Sequence, residues 1–351
     1  TLDPPEPWTY MDGSGVLLGP SEAQEQFFVA NTAAEHLYEL QQQDKPWCMV
    51  TSFWGPHHPY IPSEEYAARV DPASIKPYPS FEEDLNNKPM RYGVHRDLRC
   101  DFRAHQRWPD WSTWQTVLAR CYAQGLQTDA AIGVLLDALS SSGEQENTLV
   151  VVTADHGDAI ASHGAGWDKY SSYSEEVGRV PLVMRWPEHI QAGMSSMALT
   201  SGLDVTATVL DAAGANTSDL DGDSLIPLCG PNPTSWRDSL VVEHYGHSGD
   251  VCFQRIVYKG DYKYVAAWGD DDELYNLSLD PYELDNLIEQ ESSAVTLREM
   301  QTLALQNLLQ EREQRERDYP QSEMEFKLVT SSARWPREER LLCYKLERAL
   351  A

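Results

Sequence analysis

No apolar run in the 351-residue chain is long enough to span a bilayer, and its first residues, Thr1-Leu2-Asp3-Pro4-Pro5, are expected to form no signal peptide. Basic residues are scarce: 27 Lys and Arg stand against 55 Asp and Glu, a formal net charge of −28. That field opposes nucleic acid and anionic membrane surfaces, so a small-molecule partner is expected. If the partner is itself an anion, its site needs local cations, which a metal, lysines or histidines can supply. The six cysteines (Cys48, Cys100, Cys121, Cys229, Cys252, Cys343) show no CxxC or other ligand-like spacing. This argues against zinc ribbons and disulfide scaffolds and for scattered core thiols. There is no internal repeat. The 41% hydrophobic content suits one large or two modest cores, and the 23% charged content indicates no disorder. Asn216-Thr217-Ser218 and Asn276-Leu277-Ser278 match the glycosylation acceptor pattern but leave the compartment open.

What is present alternates between helix and strand. Phe27, Ala30, Ala34, Leu37 and Leu40 predict a helix over 21–43, and Lys45-Pro46 ends it before a strand, Trp47 to Trp54. The polar, proline-rich stretch 55–112 is too long for an ordinary connection and reads as an excursion over a site. An amphipathic helix follows from Thr113 to Leu139, with a stripe of Trp114, Val117, Leu118, Cys121, Tyr122, Ile132, Leu135, Leu136 and Leu139. Asp129 interrupts this stripe and reads as a structural carboxylate that needs a partner. Thr148 to Thr153 is an uninterrupted β-branched and apolar run, as in a parallel strand covered on both faces; Val180 to Trp186 is similar. Asp204 to Ala213 reads as a short helix capped by Asp204 and closed by Gly214.

This alternation predicts an α/β domain, a mostly parallel sheet sandwiched by helices. After about residue 236 come closely spaced strands, Ser239 to Tyr245, Cys252 to Lys259 and Tyr262 to Trp268, then a helix over 293–315. They predict a smaller C-terminal α+β subdomain. The expected boundaries are 1–235, 236–317 and a tail of uncertain structure at 318–351, with one candidate helix at 336–349.

Ligands of open α/β sheets sit beyond the carboxyl ends of strands, which directs attention to Asp155-His156-Gly157. An adjacent carboxylate and imidazole on a tight loop can reach one metal ion; equally, Asp155 can cap a turn and His156 face solvent. Lys169 suits a sulfuryl or phosphoryl oxygen, or is an ordinary surface lysine. His57 and His58, fenced by Pro56 and Pro59 beyond the other strand end, can donate to an anionic substrate or protonate a leaving group. His95, Arg96, Arg99 and His105 lie in the long excursion as substrate contacts or as a solvated basic loop.

Taken together, Pro56-His57-His58-Pro59, Thr128-Asp129-Ala130-Ala131-Ile132-Gly133, Thr153-Ala154-Asp155-His156-Gly157-Asp158, His163-Gly164, Trp167-Asp168-Lys169 and Arg179 to Pro187 resemble consecutive blocks of the type I, formylglycine-dependent sulfatases of the alkaline phosphatase superfamily. Tyr262 to Val265 and Glu273 to Leu287 resemble the family's C-terminal subdomain, so the likeness runs over about residues 21–310. Single blocks are weak, but their order and spacing are specific. The resemblance implies an alkaline phosphatase-like α/β fold and hydrolysis of a sulfuric ester, from a small molecule or saccharide, to alcohol and sulfate. It implies that Asp155 and His156 are ligands of a divalent cation of the calcium type, Ca2+. Lys169 would bridge a sulfate oxygen, and His57 would contact the sulfate or its leaving oxygen. His58 and the segment Glu243 to His247, with His244 and His247, are candidate substrate contacts.

The chain departs from the family pattern in one half of the site. The family nucleophile, a formylglycine made from Cys or Ser in C-x-P-S-R or S-x-P-S-R, is absent, as are the paired aspartates that complete its metal site. Cys229-Gly230-Pro231 is followed by Asn232-Pro233 and is rejected. The chain therefore reads as the C-terminal portion of such an enzyme, expected by itself to show no turnover. A phosphonate monoester or phosphodiester hydrolase of the same superfamily, and an inactive sulfatase-like binding protein, are the alternative readings.

Overall fold

The computed structural model describes residues 14–93, 110–166, 168–169, 173–230, 235–247, 250–318 and 337–350. Two compact units emerge: residues 1–78, 105–152 and 183–192 form the first, and residues 79–104, 153–182 and 193–351 the second.

In the first unit, α1 (Glu25–Leu40) packs on α2 (Trp111–Ser142). The predicted helix starts later than expected, because 21–23 form a separate 3-10 turn, and its buried stripe is Gln26, Ala30, Ala33 and Leu37. Helix α2 begins where Asp110 accepts a hydrogen bond from the Thr113 amide at 3.1 Å, and it stops at Gly143, whose φ is 81°. Its buried face is more polar than the apolar stripe suggests: Trp114, Val117 and Leu118 are joined by Gln124, Gln127, Thr128 and Ala131. Asp129 points outward and is exposed, so the expected cost of burying it does not arise. Strands β1 (Val150–Thr153) and β2 (Leu182–Arg185) form a two-stranded sheet. The expectation of strands covered on both faces fails here: the three valines of β1 are only partly buried, and Val183 is 63% exposed. Coverage requires flanking strands and helices, and this sheet has only two strands among the described residues. Residues 47–54 are not assigned as a strand.

In the second unit, α3 (Gly202–Ala212) is capped by Ser201 rather than Asp204. Asp204 is the third helical residue, and its Oδ2 accepts from the Ser201 amide at 2.7 Å, completing a capping box. Its carboxylate is buried and gripped by Arg237 through contacts of 2.9 and 2.7 Å. Strands β3 (Ser239–His247), β4 (Asp250–Lys259), β5 (Tyr262–Trp268) and β6 (Glu273–Asn276) form an antiparallel sheet in sequence order, with an irregularity between His244 and Gly246. Helices α4 (Ala294–Asp318) and α5 (Arg337–Leu350) cover it. The core joins Val257, Tyr264, Ala266 and Leu274 of the sheet to Met300, Ala304 and Leu308 of α4 and Leu342 and Leu346 of α5. Of the four cysteines whose side chains are described, none is buried, contrary to the reading as core thiols: Cys48 is exposed and Cys121, Cys229 and Cys252 are partly so. Cys100 and the side chain of Cys343 fall outside the described residues.

Candidate active site

Within the first unit, His57 and His58 stand on a loop held from behind by buried amides. Ile61 donates its amide to Gln124 Oε1 at 3.2 Å, Ser63 to Gln127 Oε1 at 3.0 Å, and Gln127 Nε2 donates to Gln26 Oε1 at 2.8 Å. A β-carbon at Gly55 would run into Gln26, Thr128 and Gln124, which brings the chain against α1 and α2 just before the histidines. His57 Nδ1 donates to the His58 carbonyl at 2.6 Å, leaving Nε2 as the lone-pair nitrogen of the neutral ring. The His57 ring packs 4.8 Å from Trp54 and 4.3 Å from His58, centroid to centroid. Glutamines on a helix face are easily passed over as surface residues. Here they fix the backbone that presents the histidines.

Within the second unit, Asp155 and His156 follow directly on β1. The Asp155 side chain is 86% exposed, and its Oδ1 accepts from the His156 amide at 3.0 Å. His156 Nδ1 donates to the Gly157 carbonyl at 2.9 Å, which turns Nε2 toward Asp155 Oδ2 at 3.4 Å. An imidazole nitrogen and a carboxylate oxygen thus converge 3.4 Å apart, and both are atom types that can hold a divalent cation. The pair fits part of a cation shell; a hard ion such as calcium takes six to eight oxygens, so about five more donors are required. Gly157 is needed where it stands, because a β-carbon there would meet the Glu176 carbonyl, and its amide donates to the Val177 carbonyl at 2.8 Å.

From Gly157 the chain makes a closed loop back to Lys169. The Ala159 amide donates to the Asp168 carbonyl at 3.0 Å and the Ala161 amide to the Gly166 carbonyl at 2.9 Å. Lys169 Nζ lies 3.0 Å from Asp168 Oδ1. The tip of the loop is buried. His163 Nδ1 donates to Glu83 Oε2 at 2.8 Å and Nε2 to Glu176 Oε2 at 3.2 Å. Burial by itself would lower the His163 pKa, but the hydrogen bonds to Glu176 and Glu83 outweigh it and raise it to about 9. Glu176 is affected in the opposite sense: burial would raise it, and the His163 hydrogen bond and charge bring it to about 2.

A larger buried ionic network continues behind this tip. Lys263 Nζ lies 2.8 Å from Glu283 Oε1 and 3.3 Å from Glu175 Oε1, and it donates to the Tyr173 carbonyl at 2.6 Å. Burial would lower the Lys263 pKa, but Glu283 and Glu175 raise it, so the ammonium stays charged. Lys88 donates to Tyr275 Oη at 3.0 Å and to the Glu283 carbonyl, and Arg91 pairs with Glu273 and with Asp270 at 3.2 Å. His163, Glu176 and Glu283 have ligand atoms within 4.8 Å of one another. Lys263 and Lys88 already supply positive charge there, so the cluster is an ion-pair network rather than a cation site. His244 sits at the edge of this region, its ring 5.9 Å from that of Tyr173, with Gln254 at 3.0 Å and Cys252 Sγ at 3.6 Å from Nδ1. The His247 side chain, Trp167, and the excursion residues His95, Arg96, Arg99 and His105 lie outside the described residues.

The Sulfatase family model matches residues 15–215, more than half of the chain, and a second model, N-sulphoglucosamine sulphohydrolase C-terminal, matches residues 162–314. The chain belongs to the sulfatase family. This sulfatase chain is 32% identical over 229 residues to N-acetylglucosamine-6-O-sulfatase of Bacteroides thetaiotaomicron, covering 63% of the chain and 40% of the relative. It is 28% identical over 294 residues to choline-sulfatase of Rhizobium meliloti, covering 79% of the chain and 54% of the relative. The sulfatase chain thus spans about half the length of the curated relatives it matches. Among solved structures, one described as a complex with its substrate D-glucosamine-2-N,6-O-disulfate matches at a TM-score of 0.71 and 22% identity, covering 82% of this chain and 70% of that one. The phosphonate monoester hydrolase of Silicibacter pomeroyi matches at 0.72 and 21%, covering 83% and 61%. These likenesses establish the fold: α/β of the alkaline phosphatase type, with a smaller C-terminal α+β part.

Proposed function

We propose that the whole protein hydrolyses a sulfate monoester to an alcohol and inorganic sulfate. The observation that carries this reading is the convergence of Asp155 Oδ2 and His156 Nε2, 3.4 Å apart at the end of β1, in a chain of the sulfatase family. Asp155 and His156 are assigned as ligands of a divalent cation, calcium by the chemistry of hard oxygen sites. When bound, such a cation acts as a Lewis acid on a sulfuryl oxygen. Lys169 donates to a sulfate oxygen and stabilises charge developing there, and Asp168 at 3.0 Å restrains its ammonium. His57, with its Nε2 lone pair facing away from the His58 carbonyl, hydrogen-bonds the sulfate or its leaving oxygen after protonation. His58, His244 and His247 are assigned to the alcohol portion. A saccharide sulfate fits the names of the relatives, including N-acetylglucosamine-6-O-sulfatase.

Phosphonate monoester or phosphodiester hydrolysis is the second reading, favoured by the likeness to the Silicibacter pomeroyi enzyme. Reading the coding sequence upstream of Thr1 for C/S-x-P-S-R and an Asp-Asp pair, then assaying the extended polypeptide on an aryl sulfate and an aryl phosphodiester, tests both. Preference for the sulfate supports the first reading and preference for the diester the second. An upstream frame lacking both motifs sinks the hydrolase reading and leaves an inactive binding protein.

A further inference from the structure

The loop between the two assigned halves of the site, Asp155-His156 and Lys169, is an improbable one by backbone preference alone. Within eight residues, Ala161, His163, Ala165 and Asp168 adopt positive φ values of 61°, 45°, 66° and 62°, as does Gly164 at 72°. Non-glycine residues in this region are sparsely populated and persist only where the surroundings over-determine them. The surroundings here are specific. Gly164 donates its amide to the Ser80 carbonyl at 2.9 Å, and the buried His163 ring is held on both nitrogens, by Glu83 at 2.8 Å and Glu176 at 3.2 Å. Tyr92 closes over it edge-on at 5.5 Å. Glu176 belongs to the short helix Glu175–Gly178, whose Val177 carbonyl receives the Gly157 amide, so the partner that holds the loop tip also holds the turn after His156.

We propose that His163, clamped between Glu83 and Glu176, is a positioning residue that sets Asp155-His156 relative to Lys169. This rests on the assignment of those three residues to the cation and sulfate site. The ring acts from the loop tip, tying it to the same short helix that receives the Gly157 amide. The clamp suits an imidazole, a compact ring that donates from both nitrogens to two carboxylates while filling a buried space.

The test uses the purified chain with His163→Ala and His163→Gln. Hydrogen exchange is read at the Gly157, Ala159 and Ala161 amides against strand β5, and calcium affinity is read by titration calorimetry. His163→Ala is expected to speed exchange in the loop about tenfold while β5 amides hold their rates. Calcium affinity should fall about tenfold, as for outer-shell partners of metal ligands, with His163→Gln intermediate. Loop amides exchanging at wild-type rates would overturn the proposal, as would faster loop exchange with unchanged calcium affinity. Should His163→Ala fail to fold, Glu83→Gln weakens one side of the clamp and is read by the same amides. If the unmodified chain, with its partial cation shell, binds no calcium while the amides respond as expected, the exchange readout supports the clamp and the calcium titration is repeated on the upstream-extended polypeptide, where absence of binding makes the Asp155-His156 cation assignment fall.

Discussion

Lys263 Nζ lies 2.8 Å from Glu283 Oε1, and both side chains are buried within the second unit. Two charges removed from water gain stability from each other mainly when their remaining donors and acceptors are also met. That condition holds: Lys263 also reaches Glu175 and the Tyr173 carbonyl, and Glu283 Oε2 accepts the Glu175 amide at 2.7 Å. Lys263→Met would leave the glutamates without their cation and is expected to destabilise the second unit by about 3–5 kcal/mol. Denaturant midpoints check this. Adding Glu283→Gln to Lys263→Met should recover part of the loss, and a double variant no better than the single would show that the charge was not the cause.

The His163 clamp predicts a pH window for stability. His163 is raised from 6.5 to about 9, so its contribution is fully present below pH 6.5 and is lost as pH rises through about 9. Glu176 is lowered from 4.5 to about 2, so its contribution is present above pH 4.5 and is lost as pH falls through about 2. Thermal unfolding should therefore show the clamp at full strength between about pH 4.5 and 6.5. In His163→Gln the alkaline decline between 6.5 and 9 should flatten; an unchanged decline would place its origin elsewhere.

Helix α5 bears on how far the fold is legible in the chain. The weakly patterned tail offers one candidate helix at 336–349, and the structure has a helix at Arg337–Leu350. Nothing local shows that Leu342 and Leu346 enter the same core as Val257 and Tyr264. Because they do, Leu342→Ala should cost about 2–5 kcal/mol, measured by chemical denaturation. A change within ±0.5 kcal/mol, typical of surface positions, would detach α5 from the core.

The same division runs through the candidate site. Asp155-His156-Gly157 is legible because a β-branched strand and a turn glycine are neighbours in sequence. His163 is different. Its partner Glu83 lies 80 positions away, and the Lys88 contact with Glu283 spans 195, so periodicity and spacing carry no trace of either. The coverage of β1 also escapes local reading, since a valine run records what a strand prefers rather than which neighbours it has. The glutamines of α2 mislead for a related reason: polar side chains read as surface, yet they are buried because backbone donors of residues 61 and 63 need acceptors.

Gly157 offers a further check on the turn after His156. A β-carbon there meets the Glu176 carbonyl, and backbone on both sides leaves little room to yield. Gly157→Ala is expected to destabilise the second unit by about 1–3 kcal/mol, as overpacking does, and to disturb the Val177 hydrogen bond. The amide resonance of Gly157 and the unfolding midpoint read the two effects.

Exposure separates ligand roles from folding roles at Asp155. Its side chain is 86% exposed and meets the adjacent His156 amide and ring, so truncation removes little packing. Asp155→Ala should therefore leave the unfolding midpoint within about 0.5 kcal/mol of the parent chain. Calcium affinity should respond differently, because loss of a direct carboxylate ligand costs no less than the ten- to hundredfold seen on losing an outer-shell partner. His156→Ala should act in the same direction but less steeply, as an imidazole is the softer and poorer donor to a hard cation. Paired titrations of calcium and of denaturant on both variants read the two quantities independently. A chain whose calcium affinity survives Asp155→Ala would remove the cation from the end of β1.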